Sequence, residues 1–245
     1  MVRLVTSKRF IKDPKDVWGK ETTIGLSEHA RRMGALATYD KRGEVMHIQT
    51  FQSGTSEGWY NTATENGSLS RYAMNGDYSW KMKSGGTTYR ATWFGIFNVS
   101  DTVGFETALY LDEPSNVDYI DFDLNVFVGA SVYRGRVKCD ETNNELLVYD
   151  NGVYKTFDTS APYFSEIGTT PIVFHPFKIA MDITNKKYLR FLLDSEEYDL
   201  SSYVVEESAS GGHSNYVRID ITFRDNGSTY YAYMNHAIWT GGEPR

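Results

Sequence analysis

The chain predicts an all-β protein, an antiparallel β-sandwich preceded by a mostly irregular N-terminal extension. Three observations carry this. Val217, Ile219, Ile221 and Phe223 alternate with Arg218, Asp220, Thr222 and Arg224, the two-residue period of a strand with one face buried. Phe177, Ile179, Met181 and Ile183 repeat that period, and so do Ile120, Phe122, Leu124, Val126 and Val128. Asn151-Gly152 stands between Leu146–Tyr149 and Val153–Phe157, and Asn226-Gly227 between residues 216–224 and 230–239; each reads as the turn of a β-hairpin.

The elements follow in chain order. Over residues 1–45, Asp13-Pro14 and Trp18-Gly19 break any long element. Leu26, Ala30, Met33 and Ala37 then fall at helical spacing behind Ser27 as N-cap, which predicts one short helix at 27–36. From Gly43 through Phe51 onward the texture is strand and turn. Glycine-bearing breaks at Ser53-Gly54, Asn66-Gly67, Asn75-Gly76 and Gly85-Gly86 divide the rest into about a dozen strands. No fixed-period repeat occurs, which sets aside propellers and solenoids. Strands do not alternate with helical patterns, which excludes a parallel α/β sheet. The economical division is an extension, 1–45, and one sandwich domain, 46–245.

Composition agrees. At 245 residues and 40% hydrophobic content the chain can furnish a sizeable core, and 18 Tyr and 13 Phe favour strands. Formal net charge is −7 but uneven: residues 1–45 hold ten Lys/Arg against six Asp/Glu. The acidic remainder repels nucleic acid, which argues against a DNA- or RNA-binding role. The basic extension is suited to an acidic protein surface, with Arg31, Arg32, Lys41 and Arg42 as expected docking residues. The N-terminal residues form no apolar signal segment, and no apolar run reaches membrane-spanning length, so neither export nor a membrane partner is expected.

Most catalytic chemistries lack their residues. Cys139 is the single cysteine, so no intramolecular disulfide or cysteine metal cluster can form, and a buried inert thiol is expected. His29, His47, His175, His213 and His236 show no metal-ligand spacing. Phosphate-binding loops, dinucleotide folds and nucleophile elbows are all missing, so neither a metal nor another cofactor is expected. What remains is the polar face of one strand. Asp121, Asp123 and Asn125 share it, with neighbours roughly 6–7 Å apart, a separation glycosidase carboxylates use. The run resembles the strand motif of laminarinase-type glycoside hydrolases, but it contains no Glu and ends in an amide. The general acid is missing, and no catalytic residue is assigned. Trp59, Trp80, Trp93 and Trp239 are either core or a platform on which sugars stack. A glycan-binding face would therefore consist of Asp121, Asp123, Asn125 and Trp93.

From about residue 48 to 240 the order of signals resembles the concanavalin A-like lectin/glucanase jelly roll. Four stretches carry the resemblance: Phe51 to Trp59, Gly76 to Met82, Phe174 to Asp182 followed by Lys187-Tyr188 and Leu192, and Ala232 to Trp239. It covers about four-fifths of the chain. Residues Ala30 to Gly43 ahead of it are similar to a pattern in uncharacterised phage-associated proteins. That resemblance implies a non-enzymatic virion subunit, a capsid decoration or tail-associated protein assembled in a host cytoplasm. It would oligomerise and attach to capsid or other virion proteins through its N-terminal arm. A carbohydrate-binding module that takes surface glycans is the alternative, and a divergent glycoside hydrolase or lyase a third.

Overall fold

The computed structural model describes residues 40, 42–49, 51, 59–61, 68–70, 78–84, 89–95, 99–159, 174–211, 215–228 and 230–245. The helix expected at 27–36 lies outside them. Sixteen strands are described, in chain order β1 (Glu44–Gln49), β2 (Trp59–Asn61), β3 (Ser68–Ser70), β4 (Ser79–Ser84), β5 (Tyr89–Gly95), β6 (Thr102–Leu111), β7 (Val117–Val128) and β8 (Ser131–Asp140). There follow β9 (Glu145–Asp150), β10 (Val153–Asp158), β11 (His175–Asp182), β12 (Lys187–Leu193), β13 (Glu196–Asp199), β14 (Glu206–Ala209), β15 (Tyr216–Asp225) and β16 (Tyr230–Gly241). One 3-10 turn, Pro114–Asn116, is the only helical element among the described residues.

Every pairing is antiparallel, and the strands divide into two eight-stranded sheets. Sheet A runs β13-β12-β11-β6-β16-β4-β3, with β1 also on β16; sheet B runs β10-β9-β8-β7-β15-β5-β2, with β14 also on β8. The alternation fixes which side of each strand faces inward. In β7, Ile120, Phe122, Leu124 and Val126 are fully buried between the sheets; in β11, Phe177, Ile179 and Met181 meet them from the other side, with Phe122 and Phe177 rings 3.8 Å apart. Burying each such side chain contributes roughly 1.5–3 kcal/mol, so this seam holds the two layers together.

The two Asn-Gly turns part company. Asn151 and Gly152 have φ of 47° and 95°, the left-handed pair a tight hairpin turn requires, and β9 pairs with β10 as expected. Asn226-Gly227 corrects the expectation: β15 belongs to sheet B and β16 to sheet A, so the turn is a crossover between layers. Its anchor lies elsewhere. The Asn226 backbone N–H donates to the Asn116 carbonyl at 3.0 Å, and its side-chain amide to the Ser115 carbonyl at 3.0 Å.

Another turn, after β11, supports a pH prediction. Burial alone would push Asp182 up, but the Asn185 N–H at 2.9 Å, the Asn185 amide at 2.8 Å and the Arg245 guanidinium outweigh it and hold the carboxyl below its usual value. A lowered folded-state pKa means stability that is full above about pH 4 and lost as pH falls through the lowered value. Asp182→Asn is expected to cost about 1 kcal/mol at neutral pH and to flatten the stability decline below pH 4, read from urea midpoints across pH.

Candidate functional site

The polar face of β7 lies on the outside of sheet B, and the register of its neighbours determines what surrounds it. Across β8, Asp121 faces Lys138, Asp123 faces Arg136 and Asn125 faces Arg134. Across β15, the same three face Thr222, Asp220 and Arg218. Beyond β15, Asp220 faces Thr92 of β5. Residues far apart in sequence thus form one patch of carboxylates, guanidiniums and hydroxyls.

The patch is layered by depth. Asp121, Asp123 and Asp220 are sunk, with side chains 8, 8 and 5% exposed, whereas Arg134, Arg136 and Arg218 above them are 35, 21 and 34% exposed. Short acidic side chains on a strand cannot reach past long basic ones on its neighbours, so the guanidiniums roof the carboxylates. Arg134 grips Asp123 with Nε 2.9 Å from both oxygens and with Nη2 as well. Arg136 donates from Nη2 to Asp121 at 2.7 Å, and Arg218 Nε lies 2.9 Å from Asp220. Asn125 donates to Asp123 at 2.9 Å, and the Thr92 hydroxyl to Asp220 at 2.6 Å.

Aromatic rings frame this centre. The Tyr154 hydroxyl donates to Asp121 at 2.8 Å, and the Arg136 guanidinium sits 5.1 Å from the Tyr149 ring and 5.2 Å from that of Tyr154. Lys138 lies over Tyr154 at 4.1 Å and Tyr119 at 4.9 Å. At the other end Phe127 and Tyr216 stack at 3.9 Å. Burial pushes the Asp121 carboxyl up, and Asp123 adds to this, while Arg136 and Tyr154 pull it down; the net shift is upward. Burial and the Asp121 charge also raise Tyr154, so its hydroxyl remains protonated as a donor.

Trp93 does not belong to this face. It is 4% exposed and points into the sandwich with Ala91, while Thr92 between them points outward. There it joins Trp59, Trp80 and Trp239 in one buried cluster, with Trp93 and Trp239 ring centres 3.8 Å apart and Trp59 and Trp80 4.9 Å apart. The apolar surface of an indole outweighs its single N–H, and the strand period places it inside. Of the expected docking residues, Arg31, Arg32 and Lys41 lie outside the described residues. Arg42 begins the unit that runs to Arg245 and is held by Glu197 through two bonds of 2.9 and 2.8 Å. Cys139 is fully buried and its thiol is pushed well up by burial. Among the described residues no three metal-ligating side chains converge, and no helix is long and apolar enough to cross a membrane.

Sequence reasoning missed the residue that positions Arg136 from below. Strand β8 pairs with β14 over residues 131–134 and with β9 over 137–140, which leaves a gap on that edge. Tyr188 of β12 fills it from the opposite sheet: its hydroxyl accepts the Arg136 N–H at 2.8 Å and donates to the Tyr149 carbonyl at 2.7 Å. Gly135 makes room, since a methyl there would press on the Tyr188 ring and the Met181 sulfur. Tyr188→Phe would strand a buried N–H and a carbonyl, an expected cost of about 2 kcal/mol in chemical denaturation.

No protein-family profile matches the chain, and no curated protein matches it. Among solved structures it is similar to alginate lyase vAL-1 from Chlorella virus, with a TM-score of 0.50 and 8% identity over 81% of this chain and 100% of that one. The fold the two share is a pair of antiparallel sheets packed as a sandwich. The carbohydrate recognition domain of Emp46p, in its potassium-bound form, aligns with a TM-score of 0.46 and 11% identity, over 85% of this chain and 98% of that one. A sialidase aligns at 0.47 and 8% identity over 82% of this chain, which spans only 19% of the sialidase chain. At such identities the likeness is one of fold.

Proposed function

We propose that this protein binds saccharides on the outer face of sheet B, without turning them over. The observation that carries this is the layered patch: guanidiniums and tyrosine rings at the surface, fixed from beneath by Asp121, Asp123 and Asp220. Rings suit the apolar face of a pyranose, and pre-organised N–H donors suit its oxygens. The same ion pairs support binding over hydrolysis, because Asp121, Asp123 and Asp220 lie beneath the arginines they pair with and do not face a bound saccharide. In the test, a glycan library is screened against the wild type and Arg136→Gln. Saturable binding that weakens about tenfold in the variant, with glycan chain length unchanged after incubation, is the expected result. Shortened glycans would refute the non-catalytic reading, and identical binding by the variant would refute the location.

A second reading, attachment as a virion subunit through the arm, draws on the excess of ten Lys/Arg over six Asp/Glu in residues 1–45. Its test is deletion of residues 1–41: loss of particle binding supports it, and retained binding counts against it.

A further inference from the structure

We infer that the saccharide taken by this face is acidic, a chain bearing hexuronate carboxylates. The inference rests on the saccharide-binding reading and names its ligand class.

Two features of the patch converge. The first is the sign of its charge by depth. Over a protein of net charge −7, the layer above Asp121, Asp123 and Asp220 is cationic, with Arg134, Arg136 and Arg218 outward and Glu206 of β14 facing Arg134 at its edge. A ligand arriving from solvent meets the positive layer first. The second is guanidinium geometry. The bonds made by Arg136 to Asp121 use Nη2, and the contact of Arg218 with Asp220 uses Nε, so each guanidinium is braced along one edge and keeps donors on another. A braced, planar fork with unused donors is suited to a ligand carboxylate, and holding it in place beforehand reduces the ordering cost of binding.

A ligand that offers a carboxylate to the arginines and a ring to the tyrosines beside them is a uronic acid saccharide. A nucleic acid also offers anionic groups and stacking rings, but the acidic body around the patch opposes a long, densely charged strand.

The experiment uses galacturonate, mannuronate and guluronate oligomers, each paired with its carboxyl-reduced neutral counterpart, titrated calorimetrically into the full chain. At least one uronate oligomer is expected to bind ten or more times tighter than its reduced counterpart, weakening as salt rises. Arg134→Gln and Arg218→Gln are each expected to weaken it about tenfold, with far-UV circular dichroism unchanged. Equal or tighter binding of the reduced oligomers would overturn the acidic assignment while leaving the saccharide reading intact. No binding of any oligomer, charged or neutral, would overturn both. A single-stranded oligonucleotide that binds as tightly as the best uronate would also overturn the assignment, because charge alone would then explain the attraction.

Discussion

Glu243→Ala is expected to destabilise the sandwich by about 3–5 kcal/mol, because it removes the anion between two buried cations. The Glu243 side chain is fully buried against the outer face of sheet A. One of its oxygens lies 2.7 Å from Lys178 Nζ and accepts from the Thr240 hydroxyl; the other accepts from Arg190. Lys178 and Arg190 have side chains only 1 and 6% exposed, so neither can turn to water when Glu243 is lost. Remaining contacts soften the effect. Lys178 keeps the Arg42 carbonyl at 2.9 Å and Glu106 at 3.9 Å, and Arg190 keeps the Pro244 carbonyl at 2.9 Å. Gly43 and Gly104 both clear space for the Glu243 carboxylate, since a methyl at either would run into it. The check is a urea denaturation midpoint at unchanged slope. Lys178→Met in the Glu243→Ala background should cost less than the two single changes added together, because the second change removes a buried charge whose nearer counter-ion the first already took away.

Trp239→Ala is expected to cost a further class of energy, packing, at about 3–5 kcal/mol. Trp239 is fully buried on β16 of sheet A, and its ring lies 3.8 Å from that of Trp93 and 5.1 Å from that of Phe105. Trp93 and Trp59 come from sheet B and Trp80 from sheet A, so the cluster joins the layers at one end of the core. Removing the central indole leaves a cavity that the surrounding rings can only partly fill. For a domain of this size the loss corresponds to a fall in Tm of roughly 10 °C. Thermal unfolding followed by tryptophan fluorescence reads it directly. Near-UV circular dichroism should weaken in the native variant as the Trp93–Trp239 pair is lost.

Much of the fold was legible because a two-residue period is a local property. Ile120 through Val128 in β7, Phe177 through Met181 in β11 and Val217 through Phe223 in β15 all face the core as their alternation requires. The Asn226-Gly227 turn was not legible, since a turn signature states that the chain reverses but not which sheet the next strand joins. That choice is made by Asn116 and Ser115, more than a hundred residues away. The candidate face was half legible for the same reason. Asp121, Asp123 and Asn125 share a side within one strand, but the residues above them, Arg134, Arg136 and Arg218, become neighbours only through register. The alternation of Arg134, Arg136 and Lys138 with Gly135, Val137 and Cys139 was the available signal. Of the two places the sequence allows Trp93, core and glycan face, the strand period that pairs it with Ala91 selects the core.

Ligand is expected to seat on the outer face of sheet B. Amide chemical-shift mapping on isotope-labelled protein, titrated with the tightest-binding oligomer of the uronate panel, tests it most directly. Shifts are expected to concentrate at residues 119–127 of β7, 134–138 of β8 and 216–222 of β15. Shifts concentrated instead on β6, β11 and β16 of sheet A would contradict it.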